Sequence, residues 1–453
     1  MDDHHRREEG PADRRRRRRI RRRRIWDLLR HVPTFAIRCL RLLGFVLLLL
    51  PAFVVFLWHY LTCDRIVIDY GGDRRRDPSI RRHLDLYGGR SSSASSSSSS
   101  GGRMSGSGTW EEKTVVIFIA GGAWIIGHRM WGALVGRSLV PFGILVVVPD
   151  YRNFPITDIS GMVDDVDASI QWTFDHAGEY GGDANRIVLV GQSAGAHIGG
   201  VVVTSKVLDW LTVERRKIVG IERDGRGRWD KGDENCDDVV RDDSTSHLLA
   251  SSYSPYQLRG FVSTSCPHNL VAMRRVFHRH GLSEGVQRSI FGGRPDDGRN
   301  DRHYDDVFVR WSPYHMVMRC KVEYDSLSRA SDVRRAKGLA ALKDIFPNLC
   351  IIHGTSDETV PVSEAIEFIS LLEKLKIPTE SKIYQGFSHT DPILEAPMRG
   401  DHTYHRDIYE LARKWTGNST QNRPITPFDE SHPLLRPICP SMLVEAARFC
   451  NPF

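Results

Sequence analysis

The stretch that most restricts what this chain can fold into is Ile187-Val188-Leu189-Val190-Gly191-Gln192-Ser193-Ala194-Gly195-Ala196-His197. The four leading β-branched or aliphatic residues read as a buried strand. Gly191 to Gly195 then force a tight turn, and residues 196–204 read as the start of a helix. A Gly-x-Ser-x-Gly turn is frequent by chance, but between a strand and a helix it stands in the context of a nucleophile elbow. The turn pushes the serine oxygen out of the sheet edge. Its strained backbone tolerates only small neighbours, hence Gly191 and Gly195. The N–H of Ala194 then points at the place where an oxyanion would form.

The rest of the chain supplies a sheet for that elbow. Apolar runs at 113–120, 144–149, 258–265, 348–353 and 381–384 read as strands, with short leading strands at 64–70 and 83–88. Helical spacing appears at 158–174, 361–375 and 403–416. This alternation predicts an α/β chain with a mostly parallel sheet covered on both faces. Residues 90–108 are almost entirely Ser and Gly and read as a flexible loop. Residues 221–252, rich in Asp, Arg, Gly and Ser, read as an insertion loop, and 268–335 as a cap over the serine.

The formal charge is +7, yet residues 1–30 hold thirteen Arg against six acidic residues, so the remainder is balanced at 50 basic and 50 acidic. A nucleic-acid-binding body would carry the excess on its folded part. Here it precedes residues 42–61, twenty residues without a formal charge, long enough to span a hydrocarbon core of ~30 Å as a helix. An arginine-rich arm beside such a run points to a membrane surface and not to nucleic acid. Pro51 within the run leaves open a hairpin dipping into one leaflet. The eight Cys show no Cys-x-x-Cys pair and no zinc spacing.

An elbow serine needs a base, a group to orient that base, and an oxyanion hole. In the expected chain order of serine, acid, then histidine, the candidates are Asp357, just past the strand at 348–353, and His389, just past the strand at 381–384. Glu358 and Asp391 compete as acids, with Asp391 read as a loop anchor. His197 and His353 read as structural. For the hole, Ala120-Gly121-Gly122-Ala123-Trp124 directly follows a strand, where backbone amides can approach an acyl carbon. Gly122 and Ala123 N–H join Ala194 N–H there, with Gly121 as a substitute donor and Gln192 beside the serine. Each donor is worth roughly 3–4 kcal/mol in the transition state. This chemistry calls for no metal and no cofactor.

Gly121-Gly122-Ala123-Trp124-Ile125-Ile126-Gly127, Asp150-Tyr151-Arg152-Asn153-Phe154-Pro155, Gly181-Gly182-Asp183 and the elbow resemble the isoprenylcysteine α-carbonyl methylesterases of plants, which are α/β-hydrolases. The likeness runs through Asn269-Leu270, Phe277-His278, Arg288 to Phe291, His353-Gly354 and Ser388 to Asp391, over roughly residues 110–415. Cys266-Pro267-His268 departs from the Gly-Gly-Tyr common there. The resemblance implies hydrolysis of the methyl ester on prenylated C-terminal cysteines, at endoplasmic reticulum or Golgi membranes. For so greasy a substrate, Trp124, Trp131 and Phe154 are candidate groove residues. The expected organisation is a basic arm (1–32), a membrane anchor (33–62), leading strands with the Ser/Gly loop (63–109), an α/β-hydrolase domain (110–416) and a tail (417–453). A general lipophilic carboxylesterase and an inactive binding protein of the same fold remain alternatives.

Overall fold

A computed structural model describes residues 40, 43–58, 60–71, 82–89, 112–219, 249, 251–292, 307–329, 340–417 and 427–450. The basic arm at 1–32 and the Ser/Gly stretch lie outside them, as does nearly all of the expected insertion. The chain divides into two units, residues 1–58 with 437–452, and residues 59–436 with 453.

The second unit is built on an eight-stranded sheet. Its strands are β1 (Arg65–Asp69), β2 (His83–Tyr87), β3 (Lys113–Ile119), β4 (Ile144–Pro149), β5 (Gly182–Gln192), β6 (Gly260–Thr264), β7 (Asn348–Gly354) and β8 (Thr379–Tyr384), in the spatial order β1-β2-β4-β3-β5-β6-β7-β8. The pairs β1–β2 and β2–β4 are antiparallel, and every pair from β4 through β3 to β8 is parallel. Parallel strands need cover on both faces, which is why β4, residues 115–119 of β3 and residues 187–190 of β5 are continuous apolar runs. Alternation splits each run between two layers. Val115, Ile117 and Ile119 of β3 join the cluster formed with α2 (Ile159–His176) and α3 (Ala194–Val219). On the other face lie α1 (Ala133–Leu139) and α8 (Thr403–Thr416), packed on β4 and β3 and on each other.

Asp158 starts α2 by accepting from the amides of Ser160 and Gly161, satisfying two of the orphan donors of a helix N-terminus. Helix α1 carries no amphipathic period because nearly all of its residues are buried. It is therefore invisible to a search for helical spacing.

Between β6 and β7, the residues expected as a cap hold α4 (Leu270–Arg279), α5 (Glu284–Ile290) and α6 (Pro313–Arg329). Their apolar residues, among them Phe277, Phe291, Phe308 and Trp311, belong to the same cluster as α2 and α3. After β7 comes α7 (Val362–Lys374). Part of the expected tail is folded: Leu435 is buried and Phe428 packs on Phe142, ring centroids 4.4 Å apart.

The apolar helix Leu43–Thr62, most of which belongs to the first unit, is long and apolar enough to cross a membrane by length and composition. It runs through Pro51 as helix, without the reversal a hairpin would need. Phe45, Leu49, Ala52 and Phe56 form one buried stripe along it, while Leu43, Val46, Leu47, Leu50 and Val54 are exposed.

Candidate active site

The end of β5 turns into α3 through Ser193, whose φ is +54°, a left-handed conformation that a side-chain-bearing residue adopts at a cost of about 1–3 kcal/mol. The flanking glycines are required by space. A Cβ on Gly191 would sit 2.5 Å from the Cα of Ala196, and one on Gly195 would sit 2.2 Å from the carbonyl oxygen of Ile119. The turn is pinned by Ser193 N–H donating to Thr264 O at 2.8 Å and His197 N–H donating to Ser193 O at 2.9 Å.

His389 and Asp357 arrive on the loops after β8 and β7. The structure brings them to the serine: His389 Nε2 lies 2.7 Å from Ser193 Oγ, and His389 Nδ1 lies 2.8 Å from Asp357 Oδ2. A carboxylate can only accept, so Nδ1 carries the proton and Nε2 is left to accept from the serine hydroxyl. The other oxygen of Asp357 accepts from the amides of Thr359 at 3.0 Å and Val360 at 2.8 Å. Burial would raise the Asp357 pKa. The facing His389 and the hydrogen bonds from His353 and His389 outweigh it and hold the carboxyl well below the usual carboxylate range.

The competing acids stand elsewhere. Glu358 is exposed, and Asp391 accepts from Ser388 N–H at 2.7 Å and pairs with Arg399. Asp391 thus anchors the loop that carries His389.

The loop 120–127 lies flat against the elbow. A Cβ on Gly121 would be 2.9 Å from Ser193 Cβ, and one on Gly122 would be 2.4 Å from the amide nitrogen of Gly127. Gly122 has φ +139°, and Ala123 and Trp124 follow at +49° and +64°. These three turns aim the loop's amides in an unusual direction. Among the described residues, no backbone carbonyl accepts from Gly122 or Ala123 N–H. Ala194 N–H opens α3 and so has no acceptor within its own helix. The arrangement offers amides from two segments beside one hydroxyl.

Of the residues that hold this loop, Tyr151 and Asn153 had no site role in the sequence reading, and Phe154 was expected in the groove. Tyr151 Oη donates to Ala120 O at 3.0 Å, Asn153 Nδ2 donates to Gly127 O at 2.7 Å, and Phe154 N–H donates to Trp124 O at 2.9 Å. The segment after β4 thus clamps the loop after β3. The signal was the polar-aromatic run Asp150-Tyr151-Arg152-Asn153 at the end of an apolar strand, which had no assigned function.

Two expected site residues are placed differently. Trp124 is in the core, 2 % exposed, with its ring edge-on to His197, Phe277 and Phe291. Its positive φ turns the side chain inward, so it lines no open groove. Gln192 is also 2 % exposed, and its Nε2 donates to His389 O at 3.1 Å. It braces the elbow to the histidine loop instead of facing substrate. Trp131 and Phe154 are half-buried, Phe154 against the core.

His197 accepts from Trp124 Nε1 at 3.3 Å and donates from Nε2 to Trp311 O at 2.8 Å. Burial pushes its pKa down to about 4, against the opposing pull of the Trp311 carbonyl. The unfolded chain takes that proton near pH 6.5, so the group leaves stability flat above pH 6.5. Below it, stability falls by about 1.4 kcal/mol per pH unit until pH 4. In urea titrations at stepped pH, His197→Gln is expected to lose one proton's worth of that slope.

Residues 106–294 match the BD-FAE family model, and residues 301–421 match the prolyl oligopeptidase family. A probable isoprenylcysteine alpha-carbonyl methylesterase of Oryza sativa subsp. japonica is 30 % identical over 80 % of this chain and 65 % of its own. Another of that name, from Arabidopsis thaliana, is 31 % identical over 64 % of this chain and 48 % of its own. The chain thus spans less than two thirds of the length of these curated relatives. The apo form of Thermogutta terrifontis esterase 2 is 16 % identical over 77 % of this chain and 92 % of that one, with a TM-score of 0.42.

Proposed function

We propose that this α/β-hydrolase, which is similar to the isoprenylcysteine α-carbonyl methylesterases over most of its length, is a membrane-anchored serine esterase. Its proposed substrate is the C-terminal methyl ester of a prenylated cysteine. The observation that carries the reading is the chain from Ser193 Oγ through His389 to Asp357, beside amides with open donor positions. Ser193 attacks the ester carbonyl as its proton passes to His389 Nε2. The amides of Ala194 and of the Gly121–Ala123 loop hold the oxyanion of the tetrahedral intermediate. His389 then gives the proton to departing methanol, leaving the acyl group on Ser193. Water, deprotonated by His389, attacks that acyl group and frees the carboxylic acid and the serine.

A lipophilic substrate fits the rim of the site. Ile126 and Ile156 are 67 % and 60 % exposed, and Ile125 and Pro155 beside them are exposed too. They sit on the two clamped segments, next to the proposed oxyanion donors. The helix Leu43–Thr62 and the arginine arm would hold the enzyme at the phase in which such a substrate resides. The expected location is the endoplasmic reticulum or Golgi membrane.

The test is turnover of farnesylcysteine methyl ester against p-nitrophenyl acetate. Preference for the prenyl ester supports the reading; equal or better use of the short ester makes the protein a general carboxylesterase. Ile126→Asp is expected to raise KM for the prenyl ester roughly tenfold to a hundredfold, because burying one aliphatic side chain against substrate is worth about 1.5–3 kcal/mol. The acetate should be handled as before.

A further inference from the structure

We infer that His353 is a positioning residue for the proposed hydrolysis, holding the Asp357 carboxylate in the orientation that His389 needs. This rests on the esterase reading above, but its geometry stands apart from it. His353 is the last residue but one of β7, four residues before Asp357, and both side chains are fully buried. Its Nε2 lies 2.8 Å from Val360 O and 3.3 Å from Asp357 Oδ2. Both atoms are acceptors, so Nε2 must carry the proton; it donates to Val360 O, with Asp357 Oδ2 close enough to be stabilised by the same N–H. Its Nδ1 has no partner among the described residues. The polar end of this buried ring is therefore directed wholly at the acid and at the backbone of the acid's own turn.

The consequence is a carboxylate held at four points. Two backbone amides hold one oxygen; His389 and His353 share the other. A donor that approaches Oδ2 from β7 keeps the carboxylate from rotating away when His389 moves its proton. It also takes up part of the charge that would otherwise face His389 alone. His353 touches neither the serine nor the proposed oxyanion position, so it acts through Asp357.

The charged and titratable groups around His353 are Asp357, with His389 beyond it, Glu364 from α7, and His268 from the segment after β6. Burial keeps His268 well below its usual range, so it stays neutral throughout. Burial also pushes Glu364 up to about 7, inside the window of interest. A pH profile must therefore be compared in a Glu364→Gln background.

His353→Phe removes the donor and keeps a ring; His353→Gln puts an amide N–H close to where Nε2 stood. The Phe variant is expected to lose roughly tenfold to a hundredfold in kcat/KM, the range of one hydrogen bond to a charged group. The loss should lie in kcat, with the acidic limb of the profile moved to higher pH as more carboxylate charge faces His389. The Gln variant should recover to within about threefold of wild type, the loss then lying below that range. Equal losses in both variants with an unmoved profile would make His353 structural and overturn the inference. A second measurement is independent of turnover: the downfield proton resonance of the His389 Nδ1–H···Asp357 bond. It should move in the Phe variant and return in the Gln variant. An unchanged resonance in a folded Phe variant rejects the inference even if the wild type hydrolyses no ester, and that last result by itself sinks only the esterase reading.

Discussion

Ser193→Ala is expected to lower ester turnover by about ten-thousandfold to a millionfold, the cost of removing a triad nucleophile. The hydroxyl has one position in the mechanism that nothing nearby can fill. Thr264, at the end of the neighbouring strand β6, bonds instead to Tyr404, 3.1 Å away. The fold should not feel the change. Alanine is smaller than serine at a site already crowded by Gly121, and its backbone can hold the same positive φ at similar cost. Thermal unfolding should match wild type, and labelling by a fluorophosphonate probe should vanish. A variant that keeps turnover within tenfold of wild type would show that the elbow serine is not the nucleophile.

What could be read from the chain, and what could not, divides along physical lines. The parallel strands were legible because burial on both faces leaves an aliphatic run with a visible beginning and end; β4 spans residues 144–149 as expected. Helix α8 was legible because one face is buried and the other solvated, which writes a period into the sequence. The three residues now found within hydrogen-bond reach were findable because the α/β order puts each at the carboxyl end of a strand. That order constrains position along the chain far more tightly than it constrains where a side chain points.

Direction is where sequence reasoning stopped. Trp124 beside a glycine-rich loop has no periodic context, and whether it faces a groove or the core is decided by positive φ at 123 and 124. Gln192 sits in the middle of the elbow, but its partner is a carbonyl 197 residues away. His353 looks like any histidine at a strand end until Asp357 folds back onto it. In each case the deciding contact is with a segment remote in sequence or with a turn of uncommon backbone geometry, and neither leaves a local signature.

Asp357→Asn is the second change with a large expected effect, because all four polar partners of the carboxylate are donors. The side-chain oxygen of asparagine must go to Thr359 and Val360 N–H, since its NH2 cannot accept from them. The NH2 is then left facing His389 Nδ1 and His353 Nε2, which also donate. His389 can relieve the clash by moving its proton to Nε2. That tautomer presents an N–H to Ser193 Oγ and can no longer take the serine's proton. Turnover should fall by about ten-thousandfold, as when the triad acid is replaced by its amide elsewhere, with little loss of secondary structure by circular dichroism. Asp391→Asn and Glu358→Gln serve as comparisons. The first loosens the loop that holds His389 and should cost less; the second alters an exposed side chain and should cost little. If either of these abolishes hydrolysis while Asp357→Asn leaves it standing, the acid has been misassigned, and the four-point grip on residue 357 is scaffolding and not catalysis.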